Sequence, residues 1–533
     1  MSAQNAATVG APELRAMITG GGELALLDVR ETGAFTGAHI LQARSLPLSR
    51  LELGIDDLVP RRSVRLVLCD AGGGLAERAA QRLGTFGYSD ISILAGGIDA
   101  WKDAGYVLFS GFNVPSKAFG EFVEHQEGTP NISAEELYGL IEAGENLVVL
   151  DSRPFDEYHR MNIPTGIDAP GVELVYRVFD AAPDPDTTVV VNCAGRTRSI
   201  IGAQSLINAG IPNRVMALRN GTMGWELSGY QCGHGGTEVA PPPGPEGLKR
   251  AQEAAARVAE RYGVKFTTLA EVDIWREDEG RSLYLLDVRP TEEFETGHLS
   301  GAIHAPGGQL VQGTDLFVGT LNARIVLIDD ASVRAVMSAH WLIQMGWTDV
   351  HVLDGGFQGA ELVQGRHRSL VHGLDGAEAV EVDAAELKSM LAGGDTLVVD
   401  LADSRAYGQG HIPGAWFAVR SRLETGLAAL PAHGHLVLTS EDGILARLAA
   451  GEAAALTSAP IHVLSGGTPA WTAAGHELAE GPENMADEAD DVFLKAYDGP
   501  KGGPAAMQAY LDWELDLPRL IEEDGTSDFK TFP

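Results

Sequence analysis

Four versions of one phrase run through the chain: LALLDVRETGAF, LVVLDSRPFDEY, LYLLDVRPTEEF and LVVDLADSRAYG. An internal repeat limits the fold more than any other feature, because each copy must build the same small unit. The aspartates that mark the phrase are Asp28, Asp151, Asp287 and Asp400, and they stand 123, 136 and 113 residues apart. That spacing gives each copy room for a domain of about 100 residues. Each phrase is a short apolar run, as expected of a strand covered on both faces, followed by an acidic and aromatic segment that starts a helix. A second landmark closes each copy, in the turns AGGIDAW, RNGTMGW, DGGFQGA and SGGTPAW. Between the landmarks lie another apolar strand, a loop and a helical pattern. Strands and helices alternate throughout, so the expected fold is α/β: four tandem units, each a mainly parallel sheet flanked by helices.

The units are expected at residues 10–110, 131–235, 264–366 and 377–480, with an acidic tail over 481–533 that ends in a helix. Residues 110–130 read as a connector, and GHGGTEVAPPPGP (233–245) as an extended hinge between the halves. The segment GLKRAQEAAARVAERYG after the hinge is amphipathic and suited to docking one half against the other. The tail offers no evident chemistry and is expected to pack across the units.

Charge and cysteine count exclude several functions. With 39 Lys+Arg against 74 Asp+Glu, the net charge of −35 argues against a nucleic-acid partner and against an anionic membrane surface. Cys69, Cys193 and Cys232 are the only cysteines, too few for a disulfide framework, and no Cys/His cluster suggests a metal. No cofactor is expected. The start MSAQNAATVG lacks the features of a signal peptide, and no run of about 18 apolar residues could span a bilayer. A cytoplasmic location is the expectation, and oligomerisation is left open.

The chemistry concentrates in copy two, at VVVNCAGRTRSIIGAQS. A strand ends on Cys193, passes through Ala194, Gly195, Arg196, Thr197 and Arg198, and enters a helix near Ser199. Open α/β sheets bind ligands at this end of their strands. Loop amides, a helix N-terminus and two guanidiniums would all favour thiolate over thiol.

The repeated Asp-x-Arg phrase, the Gly-His of Gly297-His298 and Gly410-His411 (Gly37-Ala38-His39 in copy one), the strand-Cys-loop-helix and the closing turn together resemble the rhodanese domain. The resemblance implies four tandem copies and sulfurtransferase chemistry. A cysteine takes a sulfane sulfur from a donor such as thiosulfate, holds it as a persulfide and passes it to cyanide or a thiol. Carried onto this chain, Cys193 becomes the persulfide-forming residue and Ala194 to Ser199 the substrate-binding loop. Arg196 and Arg198 would bind the anion, with Asp151 and Arg153 in support. Bottom-up, expelling a sulfite dianion calls for fixed positive charge, which arginine supplies. The covalent intermediate predicts ping-pong kinetics. Copy two departs from its sisters in carrying Met161-Asn162 where they have Gly-His.

Cys69 stands 32 residues before Trp101, as Cys193 does before Trp225, so a second site at Cys69 is a candidate despite the acid next to it. Counting back from the closing turns puts Ile328 or Asp329 at the cysteine position in copy three and Thr439 in copy four, so both are expected to be inactive. Cys232 reads as incidental, and the repeated histidines as structural. Four alternatives remain. The chain could be a scaffold or persulfide relay with one sensor thiol, passing sulfur to a protein acceptor. The donor could instead be mercaptopyruvate or glutathione persulfide. A cysteine phosphatase is the last, although C-x4-R here is shorter than the C-x5-R that wraps a phosphate. If copies three and four only stabilise, a fragment ending near residue 240 is expected to fold and turn over.

Overall fold

A computed structural model describes residues 6–357, 359–497 and 502–532. Each copy builds one parallel sheet, and its core strand runs are buried on both faces as the β-branched sequences require. In copy two the order is Asn131–Ile132, Val215–Leu218, Thr188–Asn192, Leu147–Asp151, Ile167–Asp168. Copies three and four repeat this order, and copy one adds a sixth strand taken from copy three. There Thr320–Leu321 pairs antiparallel with Leu24–Asp28, stitching the first half of the chain to the second.

The copies pack as pairs, one with four and two with three, and each pair is pinned by a buried arginine. Arg420 makes a two-pronged contact with Glu52 at 2.8 and 3.0 Å, and Arg334 reaches Glu173 at 2.9 Å. The helix Pro245–Tyr262 follows the extended hinge and lays Ala251, Ala254, Ala255 and Val258 against Glu173–Ala181 and Val333–Gln344. It therefore docks copy two onto copy three, as its amphipathic pattern suggests.

The connector over 110–130 is mostly a helix, Val114–Glu127, packed between copy two and the tail. Its buried face includes Lys117 and Glu121, so the apolar periodicity that would have announced it is broken by charges with another purpose. The terminal helix Pro504–Asp524 lies along it and buries Leu511 and Leu517.

The recurring histidines are structural. His39, His298 and His411 each bond through Nδ1 to the carbonyl four residues earlier, at 3.0, 2.9 and 2.9 Å, and stack on that residue's ring. In copy two Asn162 makes the same bond, its amide donating to Tyr158 O at 3.1 Å. An amide can replace the imidazole because only one donor at that point is needed.

Candidate active site

The sheet register locates the cysteine position in each copy. Asp28, Asp151, Asp287 and Asp400 sit opposite Cys69, Asn192, Ile328 and Thr439. Cys193 therefore lies one residue beyond the position of Cys69, and its counterparts are Asp70, Asp329 and Ser440. The closing turns agree. Amides of Ile98, Thr222 and Thr468 bond to the carbonyls of Asp70, Cys193 and Ser440 at 2.9, 2.9 and 3.0 Å. The equal spacing to the tryptophans is a coincidence. Copy two has one more residue between the glycine after its helix and the next strand (Gly210 to Val215, against Gly87 to Ile91), which cancels the offset. The assignments of Cys69 and Thr439 to the cysteine position are thus corrected, and of the pair Ile328 and Asp329 it is Asp329. Cys69 faces a hydrophobic cluster with Val67, Leu94 and Trp101, where burial pushes its thiol well up, helped by Asp28. Cys232 packs beside the cluster around Trp225, away from the loop.

In copies one and three a carboxylate occupies the loop. Asp70 accepts from the amides of Gly72 and Ala76 at 2.7 and 3.1 Å, and Asp329 from those of Ser332 and Arg334 at 2.7 and 2.9 Å. In copy four Ser440 accepts from Ala446 N at 3.3 Å. The copy-two loop is held from outside instead. Its Cys193 and Ala194 carbonyls bond to the amides of Thr222 and Met223 at 2.9 and 3.0 Å, which leaves its own amides for the inner face.

Those outer bonds depend on the Asn220-Gly221 turn. Gly221 has φ +55°, and a Cβ there would lie 2.2 Å from the Cys193 carbonyl oxygen. Gly221→Ala is expected to displace the loop and lower turnover roughly 10²-fold, with a fall in thermal midpoint from about 1–3 kcal/mol of backbone strain. Gly139→Ala, on a helix where a Cβ meets nothing within 4 Å, is the comparison expected to stay near wild type.

Cys193 is 2% exposed. Burial pushes the Cys193 thiol up, against the expected preference for thiolate, and Arg198 and Ser199 draw it back only in part. The helix begins at Thr197, two residues earlier than expected. Arg196 departs most from expectation. Its guanidinium turns to Glu121 (2.6 and 2.8 Å), Glu124 and Asn220, so its charge is already matched by two carboxylates, which counts against the expected role in binding the anion. Arg198 is the guanidinium whose charge draws the Cys193 thiol down, and Glu157 holds it at 2.9 and 3.2 Å. Burial pushes the Glu157 carboxyl up, but Arg198 and Lys495 outweigh it and bring it down to about 2. Copy three keeps the same pair as Arg334 and Glu293, now bent to the interface with Glu173. Asp151 accepts from Arg153 Nε and Nη2 at 2.8 and 2.7 Å and from Asn192 at 2.8 Å, behind the loop rather than in the cavity.

The sulfur opens on a cavity of about 540 Å³ to which all four copies contribute. Copy one supplies Thr32 and Arg50, copy three Gln309 and Gln312, copy four Asp403 and Arg405. The remaining wall was not legible in the sequence. Lys117 comes from the connector helix, and Lys495, Tyr497, Tyr510 and Glu514 from the tail. Lys117 Nζ stands 4.9 Å from the Tyr510 and Trp513 ring centres. Burial pushes it down to about 8, against the pull of Glu514. A lysine in a helix-forming run and an acid in a tail give no local signal. Among the described residues no cluster of His, Cys, Asp or Glu could hold a metal, and no helix is long and apolar enough to cross a membrane.

Four segments, residues 10–104, 133–228, 268–361 and 383–474, match the Rhodanese-like domain family. The crystal structure of a thiosulfate sulfurtransferase from Pseudomonas aeruginosa is 47% identical, with a TM-score of 0.95, over 99% of this chain and 100% of that one. Shorter matches include the thiosulfate sulfurtransferase GlpE of Shewanella oneidensis, 28% identical over 15% of this chain and 76% of the relative. An uncharacterized protein of Synechocystis sp. is 39% identical over 17% of this chain, which spans about half (49%) of that relative's length.

Proposed function

The chain belongs to the rhodanese-like domain family, and from that premise we propose that it is a thiosulfate sulfurtransferase working through a persulfide on Cys193. One observation carries the reading. At the loop position where copies one and three hold a carboxylate on backbone amides, copy two has a thiol and leaves the amides to a ligand. The sister loops thus supply the precedent, since a loop that binds Asp70 or Asp329 as an internal anion can bind an anionic sulfur in the same seat. The full-length similarity to a thiosulfate sulfurtransferase supports the donor.

In this scheme Cys193 thiolate attacks the outer sulfur of thiosulfate, and the S–S bond breaks with its electron pair leaving on sulfite. The persulfide rests within Ala194–Ser199 beside Arg198, while Asp151 and Arg153 brace the strand end. Cyanide or a thiol then attacks the outer sulfur and returns Cys193. A chamber walled by four copies and a tail suits a small acceptor better than a docked protein. The inactive copies, proposed as units 10–110, 264–366 and 377–480, wall the chamber rather than react.

Initial rates of thiocyanate formation, measured over a grid of thiosulfate and cyanide, are expected to give the parallel lines of a ping-pong reaction. Absence of transfer to cyanide or to any small thiol from a Cys193 that alkylates readily would contradict the proposal. Lys117 adds a pH signature. A dianion binds best to the charged lysine, so affinity is present below about pH 8 and lost above it. The KM for thiosulfate is expected to rise as pH passes 8 in the wild type. In Lys117→Met it should be high already at neutral pH and change little across that range.

A further inference from the structure

The scheme above leaves one group at the site unused. Glu514, on the tail helix, is 2% exposed. Its Oε1 accepts hydrogen bonds from the hydroxyls of Tyr510 at 2.9 Å and Thr197 at 3.4 Å. Its Oε2 is buried without a hydrogen-bond partner. A Cβ built on Gly195 would lie 3.2 Å from that oxygen, so Oε2 hangs over the loop that wraps the sulfur. An unpartnered buried carboxylate oxygen costs free energy, which makes its aim at the reacting loop informative. The charged and titratable groups facing it are Lys117 and Glu121 of the connector helix, Cys193 and Arg196 of the loop, and Tyr510 on its own helix.

We propose that Glu514 accepts the proton of Cys193 when the thiolate forms and keeps it while the persulfide exists. The proposal rests on the sulfurtransferase reading of Cys193. The S–H bond breaks and the proton passes, through one water of the cavity that both residues line, to Oε2. The thiolate pair attacks the outer sulfur of thiosulfate, and the donor's S–S bond leaves its electrons on sulfite. When the acceptor takes the sulfane sulfur, the electron pair returns to Cys193 and the proton can come back from Glu514. The neutral acid removes a buried negative charge that would otherwise oppose both the dianion and the persulfide. Burial raises the proton affinity of both groups, and the Glu514 carboxylate raises that of Cys193 further, as expected of an acid close enough to compete for its proton. The arrangement also gives the tail a role, since among the described residues the acid over the loop comes from outside the repeat.

The test is the rate of Cys193 alkylation by iodoacetamide against pH, read by mass on the Cys193 peptide of the full chain, in parallel with sulfur loading from thiosulfate. Where the proton moves within the protein, thiol reactivity is independent of pH between the two ionisations. Wild type is therefore expected to be flat over about two pH units around neutrality, and Glu514→Gln to climb about tenfold per unit as the proton goes to solvent. Tyr510→Phe removes a hydroxyl that steadies the carboxylate and should move the acid edge of the flat region to higher pH. Equal slopes in wild type and Glu514→Gln overturn the proposal. Should Glu514→Gln not fold, an unmoved acid edge in Tyr510→Phe does the same. Because iodoacetamide needs no donor, a slope difference without thiosulfate loading would sustain the proton pairing and refute the thiosulfate reading instead.

Discussion

Cys193→Ser is expected to lower turnover of thiosulfate and cyanide by more than roughly 10³-fold, the scale seen when a covalent nucleophile is removed, whereas Cys69→Ala should remain within about twofold. The contrast follows from register. Cys69 pairs with Asp28 on the strand and points into a hydrophobic cluster, while Asp70 holds the loop position. Its thiol is pushed up by burial and by two neighbouring carboxylates, Asp28 and Asp70, which only Arg30 opposes. A packing thiol of this kind can lose its sulfur at the cost of a small cavity. Alanine is the better probe, because a serine hydroxyl there would be buried among apolar side chains. Sulfur loading at Cys69, or a large loss of turnover in Cys69→Ala, would restore the second site that the spacing to Trp101 suggested.

The second large effect separates the two loop arginines, which stand two residues apart in sequence but differ in what surrounds them. Arg198→Met removes the guanidinium whose charge draws the Cys193 thiol down and is expected to cost roughly 10²–10³ in kcat/KM, the range for losing one preorganised group at a developing charge. Glu157 keeps Lys495 at 3.2 Å, so the variant should still fold. Arg196→Met acts differently. It leaves Glu121 and Glu124 buried or half-buried without their shared cation, a loss of about 3–5 kcal/mol in stability. The fraction that folds should retain most of its turnover. Thermal midpoints read beside steady-state rates distinguish these outcomes. Equal kinetic losses in the two variants would mean that Arg196 also meets the substrate.

The parts of this protein that sequence reveals are those whose physics is local. Strands covered on both faces need unbroken apolar runs, and a left-handed turn needs glycine or asparagine, so four sheets and four closing turns are visible in the repeats. Cys193, its glycine and its arginines are visible for the same reason. Register is less local. One extra residue between Gly210 and Val215 made Cys69 and Cys193 look equivalent, when the acid after the strand in copies one and three, Asp70 and Asp329, was the sounder guide to the anion seat. The pairing of Arg196 depends on Glu121 and Glu124 from a connector helix, and Glu514 from the tail adds to the burial that pushes the Cys193 thiol up. No spacing within the repeat encodes either contact.

The same geometry changes the expectation for a fragment ending near residue 240. That fragment lacks Lys495, Tyr510 and Glu514, and it exposes the face of copy two that Pro245–Tyr262 and Arg334 cover. Turnover is expected only from the full chain.

The most direct test of a persulfide on Cys193 is the intact mass of the full-length protein after brief thiosulfate treatment, compared with Cys193→Ser and Cys69→Ala. The account predicts a gain of one sulfur atom in wild type and Cys69→Ala, its loss on adding cyanide, and no gain in Cys193→Ser. A sulfur atom carried by Cys193→Ser, or none carried by any form while Cys193 remains open to alkylation, would contradict it.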